Sequence, residues 1–298
     1  MQYRYFICDV FTDRRFGGNP LAVLPDAPGL DAARMQQIAR EFNFSESTFV
    51  FPMGTRCKRE VRIFTPTVEV PFAGHPNIGT AFALAQDGLI GEIGNEASVI
   101  FEESAGPVAV RICRQPGDRF WCELKAPQSL SLGDPVEPAA AAAALSLQAD
   151  DIVTGTHPPR VASVGLPFLL VEAASREVLR KARPDIPALA RLRDAGIVPD
   201  VHLYLRTAGD FDIRSRMFAP FDGVPEDPAT GSANCALAAM LAHLDTTGRQ
   251  EHRWRIAQGV EMGRPSVLDA RTRREGTAID VWIGGHSVLV SEGLLYLD

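Results

Sequence analysis

The sequence predicts an α+β chain of two pseudo-symmetric, barrel-like β domains, each wrapped around one central helix. Three observations carry this prediction. The chain contains a weak copy of itself, two helical segments carry almost no charge on any face, and most of the remainder reads as short β-type runs.

The copy is a half-chain repeat. Arg62-Ile63-Phe64-Thr65-Pro66 recurs as Arg216-Met217-Phe218-Ala219-Pro220, and Val70-Pro71 recurs at the same offset as Val224-Pro225. After a three-residue insertion, Gly74 aligns with Gly231 and Asn77 with Asn234. Upstream, the run from Gly18 to Val23 has a counterpart from Gly165 to Leu170. Matches in the same order point to a duplicated architecture. We expect a first domain over 1–127, completed by a C-terminal strand near 290–298, and a second over 128–289.

In chain order, strands are predicted over Tyr3–Val10 and Leu21–Leu24, a helix over Asp31–Glu41, and strands over Thr48–Phe51 and Arg59–Phe64. The first central helix is predicted over His75–Asp87, where Pro76 near the first turn and Gly88 past the end supply start and stop chemistry. Strands follow over Ser98–Glu102, Val108–Cys113 and Arg119–Leu124, then a polar, Pro-containing connection over Gln128–Glu137 and a helix over Pro138–Leu145. The second half has strands over Arg160–Val164, Phe168–Glu172, His202–Arg206 and Phe211–Met217. Its central helix, Ser232–Leu244, has Thr230 or Ser232 as N-cap, and strands over Ala278–Ile283 and Ser287–Val290 close the chain. A helix apolar on every side must be enclosed by other structure, so the strands are expected to form curved sheets around the two central helices.

Composition narrows the function. With 46% apolar and 22% charged residues, the 298-residue chain has ample core material for a globular protein. A net charge of -7 argues against nucleic acid or an anionic membrane as partner, because either favours a basic face. The N-terminus reads as a strand rather than a leader, and there is no run of about 18 apolar residues, so a cytoplasmic location is expected. The 5 cysteines are odd in number and lack C-x-x-C spacing, which favours free thiols over a disulfide framework or a zinc site. Neither a P-loop nor a G-x-G-x-x-G run is present, so the sequence gives no sign of a nucleotide or flavin.

The first turn of a helix leaves backbone N–H groups unpaired, and the aligned peptide dipoles place partial positive charge there. If both central helices start at the junction of the halves, their donors face one cleft and suit a carboxylate or an enolate-like oxygen. Gly74 and Gly231 would let a ligand approach the backbone. Glu46 sits between a helix and a strand, among Phe42, Phe44, Phe49 and Phe51, which are expected to desolvate it partly and raise its pKa. His75 follows Gly74 and is placed to orient a substrate or share a proton. Asp227 lies in a turn before Gly231-Ser232, suited to a substrate ammonium or to fixing the loop. Taken alone, these three are also readable as a solvated glutamate, a packed histidine and a turn-capping aspartate.

At these residues the sequence resembles the PhzF-like family, relatives of the phenazine-biosynthesis isomerase that share a fold with diaminopimelate epimerase. The likeness spans nearly the whole chain. It is carried by Asp9-Val10-Phe11 with Gly18-Asn19-Pro20, by Phe44-Ser45-Glu46-Ser47-Thr48, by Arg62 to Pro66 running on to Ala73-Gly74-His75-Pro76, by Glu226 to Ala233, and by Gln258 to Pro265. The resemblance implies two barrel-like domains and a homodimer. It matches Glu46 to the family's acid/base and His75, Asp227 and Ser232 to residues lining the cleft, with Gly74 and Gly231 supplying backbone contacts. One position departs from the common pattern: Asn77 stands where threonine is frequent.

Epimerases on this fold use two opposed thiols, whereas the corresponding positions here are His75 and Ser232. Cys235 lies a turn inside its helix and has no opposing thiol, so it reads as packing. The expected function is therefore a cofactor-independent isomerase, without metal, that shifts a proton with a single carboxylate on a small carboxylate-bearing metabolite. Glu46, His75 and Asp227 are the expected catalytic residues, and Gly74, Gly231 and Ser232 the substrate-binding ones. Two alternatives stay open: a racemase or epimerase using two non-thiol bases, and a non-catalytic metabolite-binding or interaction protein.

Overall fold

The computed structural model describes residues 1–117 and 119–298. The chain forms two compact units, Met1–Lys125 with Gly284–Asp298, and Ala126–Ile283.

The first unit contains β1 (Gln2–Val10), β2 (Asn19–Leu24), α1 (Ala32–Phe42), β3 (Glu46–Pro52), β4 (Lys58–Phe64), the short β5 (Glu69–Val70), α2 (Gly74–Gln86), β6 (Glu96–Glu103), β7 (Gly106–Gln115) and β8 (Arg119–Lys125). Its strands pair in the order β1, β2, β3, β4, β6, β7, β8, with β2–β3 and β4–β6 parallel and the other pairs antiparallel. The C-terminal strand (Ala278–Tyr296) pairs with both β8 and β1 and closes a barrel of 8 strands. Where two strands, Ala278–Ile283 and Ser287–Val290, were expected, one strand runs through, with a bulge where the register with β1 shifts beyond Ile7.

Alternation along β3 sorts its side chains between two environments. Thr48 turns inward, and its hydroxyl meets that of Thr80 on α2 at 2.8 Å. Phe49 turns the other way and joins Phe64, Met35 and Ile38 in the core beneath α1, which Asp31 caps through the Arg34 N–H at 2.8 Å. Every residue of α2 from Gly74 to Ala85 is buried, and the helix packs against β1, β2, β3, β7 and β8. Gly79 makes this approach possible, since a Cβ there would lie 2.5 Å from Leu21 Cδ2 and 2.6 Å from Val10 Cγ2.

The second unit contains β9 (Ser131–Pro135), α3 (Pro138–Ala144), β10 (Ile152–Val153), β11 (Arg160–Ser163), β12 (Pro167–Ala173), α4 (Arg176–Lys181), α5 (Ile186–Asp194), β13 (Val201–Arg206), β14 (Ile213–Ala219), β15 (Val224–Asp227), α6 (Gly231–Leu244), β16 (Glu251–Gln258) and β17 (Ser266–Glu275). Parallel pairs again fall in the same places, β12–β13 and β14–β16, between antiparallel neighbours. The buried α6 packs against β11, β12, β16 and β17, while α3, α4 and α5 share a core with β12 and β13.

The duplication is also visible in a repeated ion pair. Arg62 forks onto Glu69 with two bonds of 2.7 Å, and Arg216 forks onto Glu226 at 2.7 and 2.8 Å. Ile63 pairs with Val70 and Met217 with Asp227, so the three-residue insertion falls between Ala219 and Asp227, partly as a register shift within β15. The match of Val70-Pro71 to Val224-Pro225 is therefore corrected by the strand register: Val70 is the counterpart of Asp227. The expected connection over 128–137 holds β9, which pairs with β11.

Candidate active site

In the first unit, β2, β3 and α2 bring Asn19, Glu46, Gly74 and His75 together. The tight return after β1 depends on Gly18, whose φ is +62° and where a Cβ would lie 2.3 Å from the Val10 carbonyl oxygen. It delivers Asn19 with its Nδ2 3.4 Å from Nδ1 of His75. Glu46 opens β3, opposite Leu21 of β2, and its Oε2 lies 3.5 Å from the same Nδ1.

His75 is fully enclosed, and burial pushes its pKa down to about 3 despite a hydrogen bond to the backbone carbonyl of Pro20. At neutral pH Glu46 thus lies beside an uncharged imidazole. The Nε2 atom of that ring is buried with no hydrogen-bond partner among the described residues.

Two of the four phenylalanines, Phe49 and Phe51, face away from Glu46. Phe49 and Phe51 lie on the α1 side of β3, opposite to the inward-facing Thr48, because side chains alternate along a strand. Phe42 stacks on Phe44 at 6.2 Å and meets Tyr5 at 5.1 Å. Glu46 keeps 19% side-chain exposure, a partly shielded carboxylate rather than a sealed one. Ala73, the N-cap residue of α2, offers no side-chain cap, so the first-turn N–H groups beginning at Gly74 lack the usual local acceptor.

In the second unit, Asp227, Gly231 and Ser232 gather at the start of α6. Asp227 ends β15, is 8% exposed, and accepts a 2.5 Å hydrogen bond from the Thr230 hydroxyl. Thr230 occupies the N-cap position without capping α6, since its hydroxyl is turned to Asp227. Ser232 falls in the first turn, half-buried, and is not the cap.

A buried amide network fixes this turn. Gln258 accepts from the Thr230 N–H at 3.2 Å and from Asn234 Nδ2 at 2.8 Å, and its own Nε2 donates to the Asp227 carbonyl at 2.8 Å. His202 Nε2 donates to Asn234 Oδ1 at 3.2 Å; burial pushes that histidine down to about 4, so it too is neutral.

The two units differ at the acidic positions. By strand register, the counterpart of Glu46 is Asp200, one residue before β13. It is directed to Asp222, and burial together with that neighbouring carboxyl raises its pKa to about 7.

Residues 8–293 match the family described as phenazine biosynthesis-like protein (PhzC-PhzF). The chain belongs to this family. It is 40% identical to an uncharacterized isomerase of Mesorhizobium japonicum, with 100% of each chain covered. It is 36% identical to trans-2,3-dihydro-3-hydroxyanthranilate isomerase of Pseudomonas aeruginosa, over 99% of this chain and 100% of the other. The crystal structure of a PhzF-family phenazine biosynthesis protein of Bacillus anthracis superposes with a TM-score of 0.90 at 23% identity, with 100% of both chains covered, and shows the shared fold. Family membership and these relatives make the chain an isomerase.

Within this PhzF-family fold, several polar residues that sequence reasoning left without a role support the two groups: Asn19, Asn234, Gln258 and His202. Two of them sit inside motif blocks, and the reason for one block is now explicit. Gly259 follows Gln258 with φ +71°, and a Cβ there would lie 2.4 Å from the Arg264 oxygen and 2.6 Å from that of Pro228. Asn234 was signalled only by its alignment with Asn77. Among the described residues, no group of three or more His, Cys, Asp or Glu side chains is arranged to hold a metal ion, and no helix is long and apolar enough to cross a membrane.

Proposed function

We propose that this PhzF-family isomerase shifts a proton within a small carboxylate-bearing metabolite by acid/base catalysis with Glu46 and needs no cofactor. The observation that carries the reading is the partly shielded Glu46 carboxylate 3.5 Å from a neutral, buried His75 at the uncapped start of α2. An imidazolium at that distance would hold the carboxylate ionised and weaken it as a base; a neutral ring leaves it free to take a proton and can exchange one with it. Glu46 removes a proton from a carbon activated by the substrate's carboxylate. The charge moves to oxygen, where the N–H of Gly74 and the positive end of α2 stabilise it. The carboxylic acid then returns the proton to another carbon on the same face.

Asp227 is assigned a share in proton handling or in binding a substrate ammonium, and Gly231 and Ser232 bind substrate, roles that rest on the family likeness. Asp200, turned to Asp222, supports a single carboxylate rather than a matched pair of bases. The first substrate to test is trans-2,3-dihydro-3-hydroxyanthranilate, on which the Pseudomonas aeruginosa relative is named to act. We also propose a cytoplasmic homodimer, which light scattering tests through the mass in solution.

Incubation with that compound in D₂O separates the readings. Proton shift places deuterium on a carbon that bore none in the substrate and moves the double bond. Inversion at the original carbon with an unmoved double bond would mean a two-base epimerase and overturn the proposal.

A further inference from the structure

The second unit also buries a row of polar side chains that belongs to neither group described above. Glu172 on β12 lies opposite Tyr204 on the parallel strand β13, and His157, in the connection between β10 and β11, completes the row. All three are buried. Nδ1 of His157 is 2.7 Å from the Pro158 carbonyl oxygen, its Nε2 is 2.6 Å from the Tyr204 hydroxyl, and that hydroxyl is 3.2 Å from Oε2 of Glu172. Arg206 anchors the far end, forking onto Glu172 at 2.8 and 3.2 Å and donating to the Thr156 hydroxyl. The duplicated fold does not require such a row. By the strand register that makes Asp200 the counterpart of Glu46, the counterpart of Tyr204 is Val50, a fully buried hydrocarbon.

The hydrogens in this row can be counted. A backbone carbonyl only accepts, so Nδ1 of His157 carries a hydrogen. Two links remain, from Nε2 to the hydroxyl and from the hydroxyl to the carboxyl group, and each needs one hydrogen. A neutral imidazole with its hydrogen on Nδ1 has none to give from Nε2, and Glu172, ion-paired with Arg206, only accepts. Tyr204 therefore supplies the single hydrogen for two links. The distances assign it to the 2.6 Å link, because 3.2 Å is longer than O–H···O bonds usually are. The link to Glu172 is then a contact between two acceptors, left unbonded in a buried place. One more proton, on Nε2, would fill both links.

We propose that His157, Tyr204 and Glu172 form a pH-driven hydrogen-bond switch in the second unit. At neutral pH the Tyr204 hydroxyl donates to Nε2 of His157. In acid, Nε2 takes one proton from solvent and donates it to the Tyr204 oxygen, while the tyrosine keeps its own hydrogen and turns it to Oε2 of Glu172. The hydroxyl reverses direction, and an imidazolium and a carboxylate are joined through it. Hydrogen bonds in such a series reinforce one another.

The surrounding groups set the direction of the switch. Burial lowers the pKa of His157 below the ordinary 6.5, and the cations Arg206 and Arg160 act in the same sense, against the Pro158 carbonyl and Glu172, which favour the imidazolium. Arg160 is itself held to the Gly133 carbonyl at 2.8 Å. Tyr204 stays un-ionised, since burial and the neighbouring Glu172 raise its pKa. The helix α6, which packs on β11 and β12, carries no charged side chain before His243. The neutral ring is thus the resting state, and the reversal belongs to acid.

Histidine-ring ¹⁵N spectra of the full chain at neutral pH read the resting state without a substrate. The His157 signal, identified by its loss in H157Q, should be that of a neutral ring with its hydrogen on Nδ1. In Y204F the Nε2 resonance should shift toward that of an unbonded ring nitrogen. A hydrogen on Nε2, an imidazolium already present at neutral pH, or an Nε2 resonance unmoved in Y204F would overturn the proposal. Acid titration reads the reversal. His157 should gain its proton below pH 6.5, the Tyr204 Cζ resonance should step at the same pH, and the Glu172 carboxyl carbon should keep the shift of a carboxylate. Uptake of the proton by Glu172 in place of His157, or a Tyr204 step that survives in H157Q, would contradict it. None of these readouts depends on the role of Glu46.

Discussion

Oε2 of Glu46 lies 3.5 Å from Nδ1 of His75, and the imidazole is buried deeply enough to stay neutral through the physiological range. The contact is therefore not an ion pair. A charged partner would lower the carboxylate's basicity, whereas a neutral ring preserves it, as the proposed proton transfer requires, and the same burial costs stability in acid.

That cost is measurable. Folded His75 resists protonation down to about 3 and His202 down to about 4, against 6.5 for an unperturbed ring. Over this window the unfolded chain binds more protons, so stability is full above pH 6.5 and falls as pH drops toward 4. Each ring contributes a slope of at most about 1.4 kcal/mol per pH unit. H202Q keeps a donor for Asn234 but cannot titrate, and its denaturant-unfolding stability should fall less steeply between pH 6.5 and 4. A slope equal to wild type would contradict the burial argument.

The repeated arginine forks should differ in worth because their exposures differ. Arg216 and Glu226 are 3% and 17% exposed, while Arg62 and Glu69 are 27% and 31% exposed. R216M takes the donor from the half-buried Glu226 carboxylate and from the Leu179 and Ala182 carbonyls and should cost about 3–5 kcal/mol. R62M breaks a pair of the same geometry in contact with water and should cost about 0–1 kcal/mol. Equal losses in urea unfolding would contradict this.

Gln258 should matter through the turn it holds. Q258L leaves the Thr230 N–H without its acceptor, removes one acceptor of Asn234 Nδ2 and deprives the Asp227 carbonyl of a donor. We expect a loss of about 1–3 kcal/mol for each buried group left unsatisfied. Because the turn carries Asp227, kcat/KM should fall as well. Full activity in a destabilised Q258L would separate the network from the site.

Much of the architecture was legible because it is written in local chemistry. Pro76 and Gly88 bracket α2, uncharged faces mark both central helices as enclosed, and the repeat announces the duplication. What escaped was non-local or masked by charge. β16 and β17 carry Arg253, Arg255, Arg271 and Arg273, so a strand with one outer charged face reads as a polar loop. Arg271 in fact lies over the Trp282 ring at 3.8 Å. The short α4 and α5 are held by the core they share with β12 and β13 more than by their own periodicity. At the site, Glu46, His75 and Asp227 stand in motifs, but the support from Gln258 to Asp227 spans 31 residues and appears only once the strands pair.

The most direct measurement is deuterium incorporation from D₂O into trans-2,3-dihydro-3-hydroxyanthranilate by wild type and E46Q. The amide keeps the size of the side chain and cannot take up a proton. We expect E46Q to retain the wild-type circular dichroism and melting behaviour and to lose exchange by about 10²–10⁴-fold, the usual contribution of a positioned acid/base. Exchange at the wild-type rate in a folded E46Q would contradict the assignment of Glu46 as the group that moves the proton.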